Sequence, residues 1–274
     1  MPSGSHANGI FSTFRSPPTS SLMSTGELRI VAVPVSGEIK AGDSLVEKLF
    51  EALKRRRLAL SAGDILVVKH KIVSKAEGQF VRLDQIQPSA DSRAWARKFK
   101  LDARVSQLAL RESKNVLRKK NGVMITETRH GFICANSGVD VSNVAGGEQA
   151  LLLPEDPDRS AAQLHRALKR RLKVHIPVII TDSFGRPWRE GLTEVAIGIA
   201  GMKALHDDRG RRDPHGYKLR VSLDAVADEL ACAAGLLTGK LSRTPFVIIR
   251  GFRYQRGGGR YRDLLRPAER DLFR

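Results

Sequence analysis

The chain has 274 residues, 41% of them hydrophobic, which is enough for one large domain or two smaller ones with a buried core. Its 47 basic and 29 acidic residues leave a net charge of +18, typical of a solvated basic surface or of partners that carry phosphates or carboxylates. No apolar run approaches the roughly 20 residues of a membrane-spanning helix, so we expect no membrane partner. Two cysteines, Cys134 and Cys232, exclude a disulfide framework and favour the cytoplasm.

Residues 1–26 differ in composition from the rest of the chain. They carry one charged residue, Arg15, and are rich in Ser, Pro and Gly. They also lack the continuous apolar region of a secretory signal. This composition predicts a disordered N-terminal extension followed by a folded domain over residues 27–274.

From residue 27 onward, patterns of strands and helices alternate. Apolar runs predict strands at 27–35, 63–75, 176–181, 193–201 and 245–252, and a hairpin over 122–136 that turns near 129–131. Helical spacing predicts helices at 43–60, 92–113, 156–174 and 222–240. We expect Asp158 or Ser160 to cap the helix at 156–174, and Gly239 to end the helix at 222–240. The pattern predicts a mixed α and β protein without indicating the order of its strands.

Two acidic segments follow apolar runs and are candidate metal ligands. Asp140, Ser142 and Asn143 follow the strand-like part of residues 131–143. Asp182 and Ser183 follow "VIIT" and precede a Gly-Arg-Pro-Trp-Arg turn. Carboxylates in loops beyond strands often present oxygen ligands to Mg²⁺ or Mn²⁺. The alternative is that both segments form Asx turns with no ligand.

Residues 69–78, "KHKIVSKAEG", are a candidate phosphate site. A period of two places Lys69, Lys71 and Lys75 on one side of an extended strand. Three cations at a strand end suit phosphates, although a solvated strand face explains the same pattern.

Residues 235–242, "GLLTGKLS", resemble a P-loop only superficially. The P-loop has four residues between its glycines and opens a helix, whereas three residues separate Gly235 from Gly239 here and the segment ends a predicted helix. A helix C-terminus repels phosphate. Gly239 and Lys240 stay candidate nucleotide contacts, although they would not bind phosphate in the way that a P-loop does.

Taken together, these segments resemble the coenzyme F420-0:L-glutamate ligase family, which adds γ-linked glutamates to a deazaflavin coenzyme. The matching stretches are "KIVSKAEG" (71–78), "ESKNVLR" (112–118), "HGFICANSGVDVSN" (130–143), "LLLPEDPDRSA" (151–161), "TDSFGRPWREGLTEVAIGIAG" (181–201), "DPHGYKL" (213–219), "ADELACAAGLLTGK" (227–240) and "RDLLRPAERDLF" (262–273). They run in the family's order over about residues 28–274. We expect the single-domain form, without the flavin-binding, nitroreductase-like domain of some members.

The resemblance implies a GTP-dependent amide ligase whose substrates are the coenzyme F420 precursor and L-glutamate. An acyl phosphate forms from the precursor carboxylate and GTP, the glutamate amine attacks it, and GDP and phosphate leave. The implied cofactors are Mg²⁺ or Mn²⁺ and K⁺. The implied fold is α+β, with mixed and antiparallel sheets, helices, two lobes and an intertwined homodimer.

The resemblance also assigns roles to residues. It implies metal ligation by Asp140 and Asp182, with Ser183 at a second metal. The implied nucleotide contacts are Gly37, Glu38, Ile39, His70, Lys71, Lys75 and Asn143. Asp140 and Asp182 are thereby candidate catalytic residues as well. We add Arg186 and Arg189 to them on chemical grounds, because guanidinium groups suit phosphates and carboxylates.

Two positions depart from the family pattern, and two alternative functions remain. His70 stands where some relatives have a small hydroxyl residue. Lys240 stands near an acidic residue of some relatives, which leaves the number of metals open. A nucleic-acid-binding protein would explain basic clusters such as residues 54–57, but only 5% of the residues are aromatic and no nucleic-acid-binding module is evident. A non-catalytic GTP-binding scaffold is the other alternative.

Overall fold

The structure is a computed structural model that describes residues 26–142, 147–239 and 242–273. The predicted disordered extension at 1–26 therefore falls almost entirely outside the described residues. Asn143 and Lys240 also lie outside them.

The described chain contains twelve strands and six α-helices. The strands are β1 Arg29–Val33, β2 Ile65–Lys69, β3 Phe80–Arg82, β4 Ser113–Lys120, β5 Val123–Thr128, β6 Ile133–Ala135, β7 Gln149–Leu151, β8 Val178–Arg186, β9 Arg189–Ala200, β10 His206–Asp207, β11 Leu223–Asp224 and β12 Phe246–Arg250. The helices are α1 Leu45–Arg55, α2 His70–Ala76, α3 Ala90–Phe99, α4 Ala103–Arg111, α5 Pro157–Leu172 and α6 Val226–Gly235. Short 3-10 helices lie at Leu83–Gln85, Asn136–Gly138, Tyr261–Leu264 and Ala268–Arg270.

A five-stranded mixed sheet in the order β1-β12-β2-β8-β9 forms the centre of the fold. Its strands pair antiparallel except for β2 and β8, which are parallel. Apolar side chains are buried on both faces: Leu49 of α1 and Leu168 of α5 belong to the core on one face, and Leu230 of α6 belongs to the core on the other. Burial on both faces explains why β2 and β8 read as continuous apolar runs.

Three smaller sheets accompany the central one. They pair β4-β5-β6, β3-β7 and β10-β11, all antiparallel. The arrangement confirms a mixed α+β fold with several sheets, whereas the two lobes and the intertwined dimer stay predictions. No helix in the described ranges is long and apolar enough to cross a membrane.

The predicted strand at 63–75 is wrong over its second half. The strand ends at Lys69, and α2 begins at His70. Lys71 and Lys75 are four residues apart, a spacing that fits both an alternating strand and one turn of a helix. Within this helix His70, Ile72, Val73 and Ser74 are buried.

Two predicted helices differ from the observed ones in length or continuity. The helix predicted at 92–113 is split into α3 and α4 by Lys100, which adopts a left-handed conformation (φ 56°). The helix predicted at 222–240 ends at Gly235, so Gly239 lies beyond it in a loop.

The predicted cap of α5 is wrong as well. Its N-cap is Asp156, whose carboxylate accepts a hydrogen bond from Arg159 N at 3.0 Å. Asp158 instead accepts from Ile199 N of β9 at 2.9 Å, and so joins α5 to the sheet.

The β8–β9 hairpin is longer than its predicted strands. The strand predicted at 176–181 continues to Arg186, so Asp182 and Ser183 lie within β8 and not in a loop after it. The pairing register shifts between Ile180 and Thr181, where β9 contains an extra residue, Ile197. Such a bulge redirects the side chains that follow it. The predicted turn is present at residues 187–188, and the predicted hairpin near 129–131 is also confirmed.

Candidate functional site

A cleft of about 1220 Å³ opens at the ends of β2 and β6 and along the middle of β8. This volume exceeds the roughly 300–1,000 Å³ of a typical small-molecule site, which leaves room for more than one substrate. Ten of the predicted site residues line it: Gly37, Glu38, Ile39, His70, Lys71, Lys75, Asp140, Asp182, Ser183 and Gly239. The structure therefore brings together residues from five separate segments of the chain.

The parallel pairing of β2 and β8 places Asp182 beside His70. Lys69 at the end of β2 is in register with Thr181 of β8. The next residues along the two segments, His70 and Asp182, are therefore neighbours. His70 Nε2 lies 3.1 Å from Asp182 Oδ1, and the His70 side chain is buried. The same oxygen accepts a hydrogen bond from Ser183 N at 2.7 Å.

Asp182 is held in its ionised form. Burial by itself raises the pKa of this carboxyl, but the nearby His70, the Ser183 N–H and Lys69 outweigh burial and hold the pKa below its usual value. At neutral pH the side chain is therefore a carboxylate, the form in which it can bind a cation.

Asp140 follows the 3-10 helix at Asn136–Gly138 and lines the same cleft. Its backbone forms a two-way bridge with Leu151, with N···O distances of 3.0 and 2.8 Å. Its carboxylate accepts from Ser142 N at 2.7 Å and forms an ion pair with Lys71. Burial raises the pKa of Asp140, but hydrogen bonds from Lys71 and Ser142 hold it below its usual value. The cleft therefore contains two aspartates that are both ionised at neutral pH.

Three lysines of the cleft form ion pairs with carboxylates. Lys71 and Lys75 lie one helical turn apart on α2, and Lys69 lies at the end of β2. The three pairs are Lys69 with Glu194, Lys71 with Asp140, and Lys75 with Glu38. Mixed charge of this kind suits a ligand that carries phosphates together with a cation.

Sequence reasoning missed Glu194. Counting residues evenly from the turn at 187–188 places Leu192 opposite Ser183, but the observed partner of Ser183 is Glu194. The pairing departs from an even count near the turn, where Arg186 pairs with Arg189 and Gly185 with Leu192. The extra residues include Gly191, whose φ of 83° favours glycine, and a glycine inside a strand pattern is the one sequence signal of such a shift.

The donor set fits a hard divalent cation in part. Asp140, Asp182 and Ser183 offer oxygen ligands within one cleft, and oxygen is the ligand that Mg²⁺ and Mn²⁺ prefer. Within the described ranges, no three or more His, Cys, Asp and Glu side chains are grouped in a way that would hold a metal ion. Metal ligation therefore stays a prediction in which other ligands complete the coordination.

Comparison with known proteins gives a consistent result. The family model described as F420-0:Gamma-glutamyl ligase matches residues 35–251. The chain belongs to this family. Two coenzyme F420:L-glutamate ligases are each 42% identical to it: that of Methanopyrus kandleri over 90% of this chain and 98% of its own length, and that of Methanothermobacter thermautotrophicus over 86% and 94%. All described residues that line the cleft, from Val35 to Pro245, fall within the range of the F420-0:gamma-glutamyl ligase model.

Both arginines that were added to the predicted site of this ligase family member lie outside the set of residues that line the cleft. Arg186 and Arg189 lie near the tip of the β8–β9 hairpin, apart from the residues that line the cleft, and Arg186 Nη2 donates to Glu190 O at 2.7 Å. Trp188 is 81% exposed and contacts the Phe273 ring. Cys134 lines the cleft, but burial and the Asp182 charge raise its pKa to about 12, so it stays a neutral thiol.

Proposed function

We propose that this chain is a GTP-dependent ligase that adds γ-linked L-glutamate to the coenzyme F420 precursor. The proposal rests on one observation above all: two ionised aspartates and four lysines line a single cleft in a member of the F420-0:gamma-glutamyl ligase family. The names of the two 42% identical relatives, coenzyme F420:L-glutamate ligases, indicate the two substrates.

The reaction has two steps. An oxygen of the precursor carboxylate attacks the γ-phosphorus of GTP, the bond to the β,γ-bridging oxygen breaks, and GDP leaves. The amine of L-glutamate then attacks the acyl carbon, the carbon–oxygen bond to phosphate breaks, and the nitrogen loses a proton. The work of the protein is to hold the reactants together and to neutralise the charge on the phosphates.

The lysines of the cleft provide that neutralisation. In the proposed complex Lys71 and Lys75 exchange their carboxylate partners for phosphate oxygens, and His70 stays against Asp182. The loop of Gly37, Glu38 and Ile39 contacts the guanosine side of the nucleotide. Asn143, Gly239 and Lys240 complete the nucleotide site, with Asn143 and Lys240 outside the described residues.

A divalent cation fits the same site. We propose Asp140, Asp182 and Ser183 as its protein ligands, because both aspartates are ionised and both line the cleft with Ser183. Bound Mg²⁺ or Mn²⁺ supplies charge neutralisation at the phosphate oxygens. We extend the proposal to K⁺ and to a homodimer on the family resemblance alone.

A mass-spectrometric assay tests the function. The protein is mixed with precursor, L-glutamate, GTP and Mn²⁺, and we expect a product one glutamyl unit heavier together with an equal amount of GDP. GTP binding without glutamylation over a range of acceptors would indicate a scaffold. Salt-sensitive binding of unrelated oligonucleotides would instead favour the nucleic-acid alternative.

A further inference from the structure

Glu194 lies directly behind the wall of the cleft. It is on β9, opposite Ser183 of β8, and its side chain is 10% exposed. Ser183 Oγ donates to Glu194 Oε1 at 2.6 Å, and Lys69 Nζ forms an ion pair with the same oxygen. Lys69 Nζ also lies 3.3 Å from Ser183 Oγ. Two cleft-lining side chains therefore share one buried carboxylate.

The hydrogen bonds of Ser183 determine what its hydroxyl can bind. A serine hydroxyl has one proton and two acceptor lone pairs. The proton points to Glu194, and one lone pair accepts from Lys69. One lone pair remains for a ligand in the cleft that Ser183 lines. Ser183 therefore meets a ligand as an acceptor, which suits a cation and does not suit a phosphate oxygen.

The fold makes room for Glu194 at the end of α6. A Cβ atom at Gly235 would lie 2.6 Å from Glu194 Cγ, so any larger residue there displaces the glutamate. Glu194 Oε2 is buried and has no hydrogen-bond partner among the described residues. A buried polar atom without a partner costs roughly 1–3 kcal/mol, so its position needs a reason beyond packing.

We propose that Glu194 is a positioning residue for the divalent cation: it holds the Ser183 hydroxyl as an acceptor, so that the oxygen of Ser183 can ligate the metal, and it fixes Lys69 beside it. This inference rests on the proposed function, which places the cation at Ser183. Removing a carboxylate that orients a metal ligand in this way typically weakens metal binding about 10–100-fold.

Titration of Mn²⁺ in the presence of GTP and without acceptor, followed by electron paramagnetic resonance, tests the inference independently of turnover. We expect Glu194→Ala to weaken Mn²⁺ binding about 10–100-fold. Ser183→Ala should weaken it to a similar extent, and the double variant should be no weaker than Ser183→Ala alone, because Glu194 acts through Ser183. In the ligase assay, Glu194→Ala should raise the Mn²⁺ concentration needed for half activity more than it lowers kcat.

Gly235→Ala displaces the glutamate without changing any charge. We expect it to weaken Mn²⁺ binding as well, even though alanine favours a helix. Gly258→Ala is its matched control, since no atom lies within 4 Å of the added Cβ, and it should bind Mn²⁺ like the unaltered chain. Gly235→Ala also keeps the test available if Glu194→Ala fails to fold.

Several results would overturn the inference. They are unchanged Mn²⁺ binding in Glu194→Ala or in a folded Gly235→Ala, additive losses in the double variant, and no Mn²⁺ binding by the unaltered chain with GTP. If the unaltered chain binds Mn²⁺ and GTP but forms no glutamyl product, the proposed function fails. The comparison of Mn²⁺ affinities still decides the role of Glu194.

Discussion

Replacing Asp182 by asparagine removes one negative charge from the cleft and preserves the shape of the side chain. The buried His70 then loses a charged partner 3.1 Å away. Losing a hydrogen bond to a charged group costs about 1.5–3 kcal/mol, and at roughly 2–4 °C per kcal/mol the Tm should fall by about 3–12 °C. The rate should fall as well. Removing one preorganised electrostatic group from a reaction site lowers kcat about 100–1,000-fold, which corresponds to roughly 2.7–4 kcal/mol.

The assay is glutamyl product formation at a temperature where the variant is folded. Asp64→Asn is the matched control. Asp64 is also buried, accepts from Arg250 Nε at 3.0 Å, and lies just before the end of β2 that is remote from Lys69. The Tm of the Asp64→Asn variant should fall by a similar amount, and its ligase activity should be unchanged. If Asp182→Asn retains half or more of the activity of the unaltered chain, the assigned role of Asp182 is wrong.

Three further predictions concern pH, packing and assembly. Burial raises the pKa of the Asp228 carboxyl above its usual value of 3.8, although Ala196 N donates a hydrogen bond to it at 2.8 Å. The folded chain therefore binds the carboxyl proton more tightly than the unfolded chain does. As pH rises above 3.8, the folded chain loses stability. Asp228→Asn should therefore raise the Tm at pH 7, and the gain measured by calorimetry should vanish below pH 3.8. Gly198→Ala should destabilise the fold by about 1–3 kcal/mol in chemical unfolding, because its Cβ would lie 2.4 Å from the carbonyl oxygen of Pro157; Gly258→Ala, with open space around it, should not. Light scattering should give a molar mass twice the 30.2 kDa of the chain, and a mass of one chain would contradict the homodimer.

Much of the secondary structure could be predicted from local patterns. The strand at 27–35, the helix at 43–60 and the strand at 245–252 contain the observed β1, α1 and β12. Their apolar spacing reports which side chains are buried along one element, and that is a local property. The same reasoning failed at residues 70–76, where lysines four residues apart fit a strand and a helix equally well.

For the candidate site, the sequence predicted the residues better than their positions in the fold. Asp140, Asp182 and Ser183 were identified by residue type and by family resemblance, and they do line one cleft. Their position in the fold was predicted wrongly for two of them, since Asp182 and Ser183 lie inside a bulged strand and not in a loop. Arg186 and Arg189, added on chemical grounds, lie near the tip of the hairpin.

The buried strands, most of the helices and the residue types of the cleft follow from the sequence, because the spacing of apolar residues and the chemistry of each side chain are local properties. The parallel pairing of β2 and β8, the contact of His70 with Asp182 and the position of Glu194 opposite Ser183 are visible only in the folded chain. These contacts join residues far apart in the chain or across a shifted register. Such contacts depend on how whole elements pack together, and no local pattern records that packing.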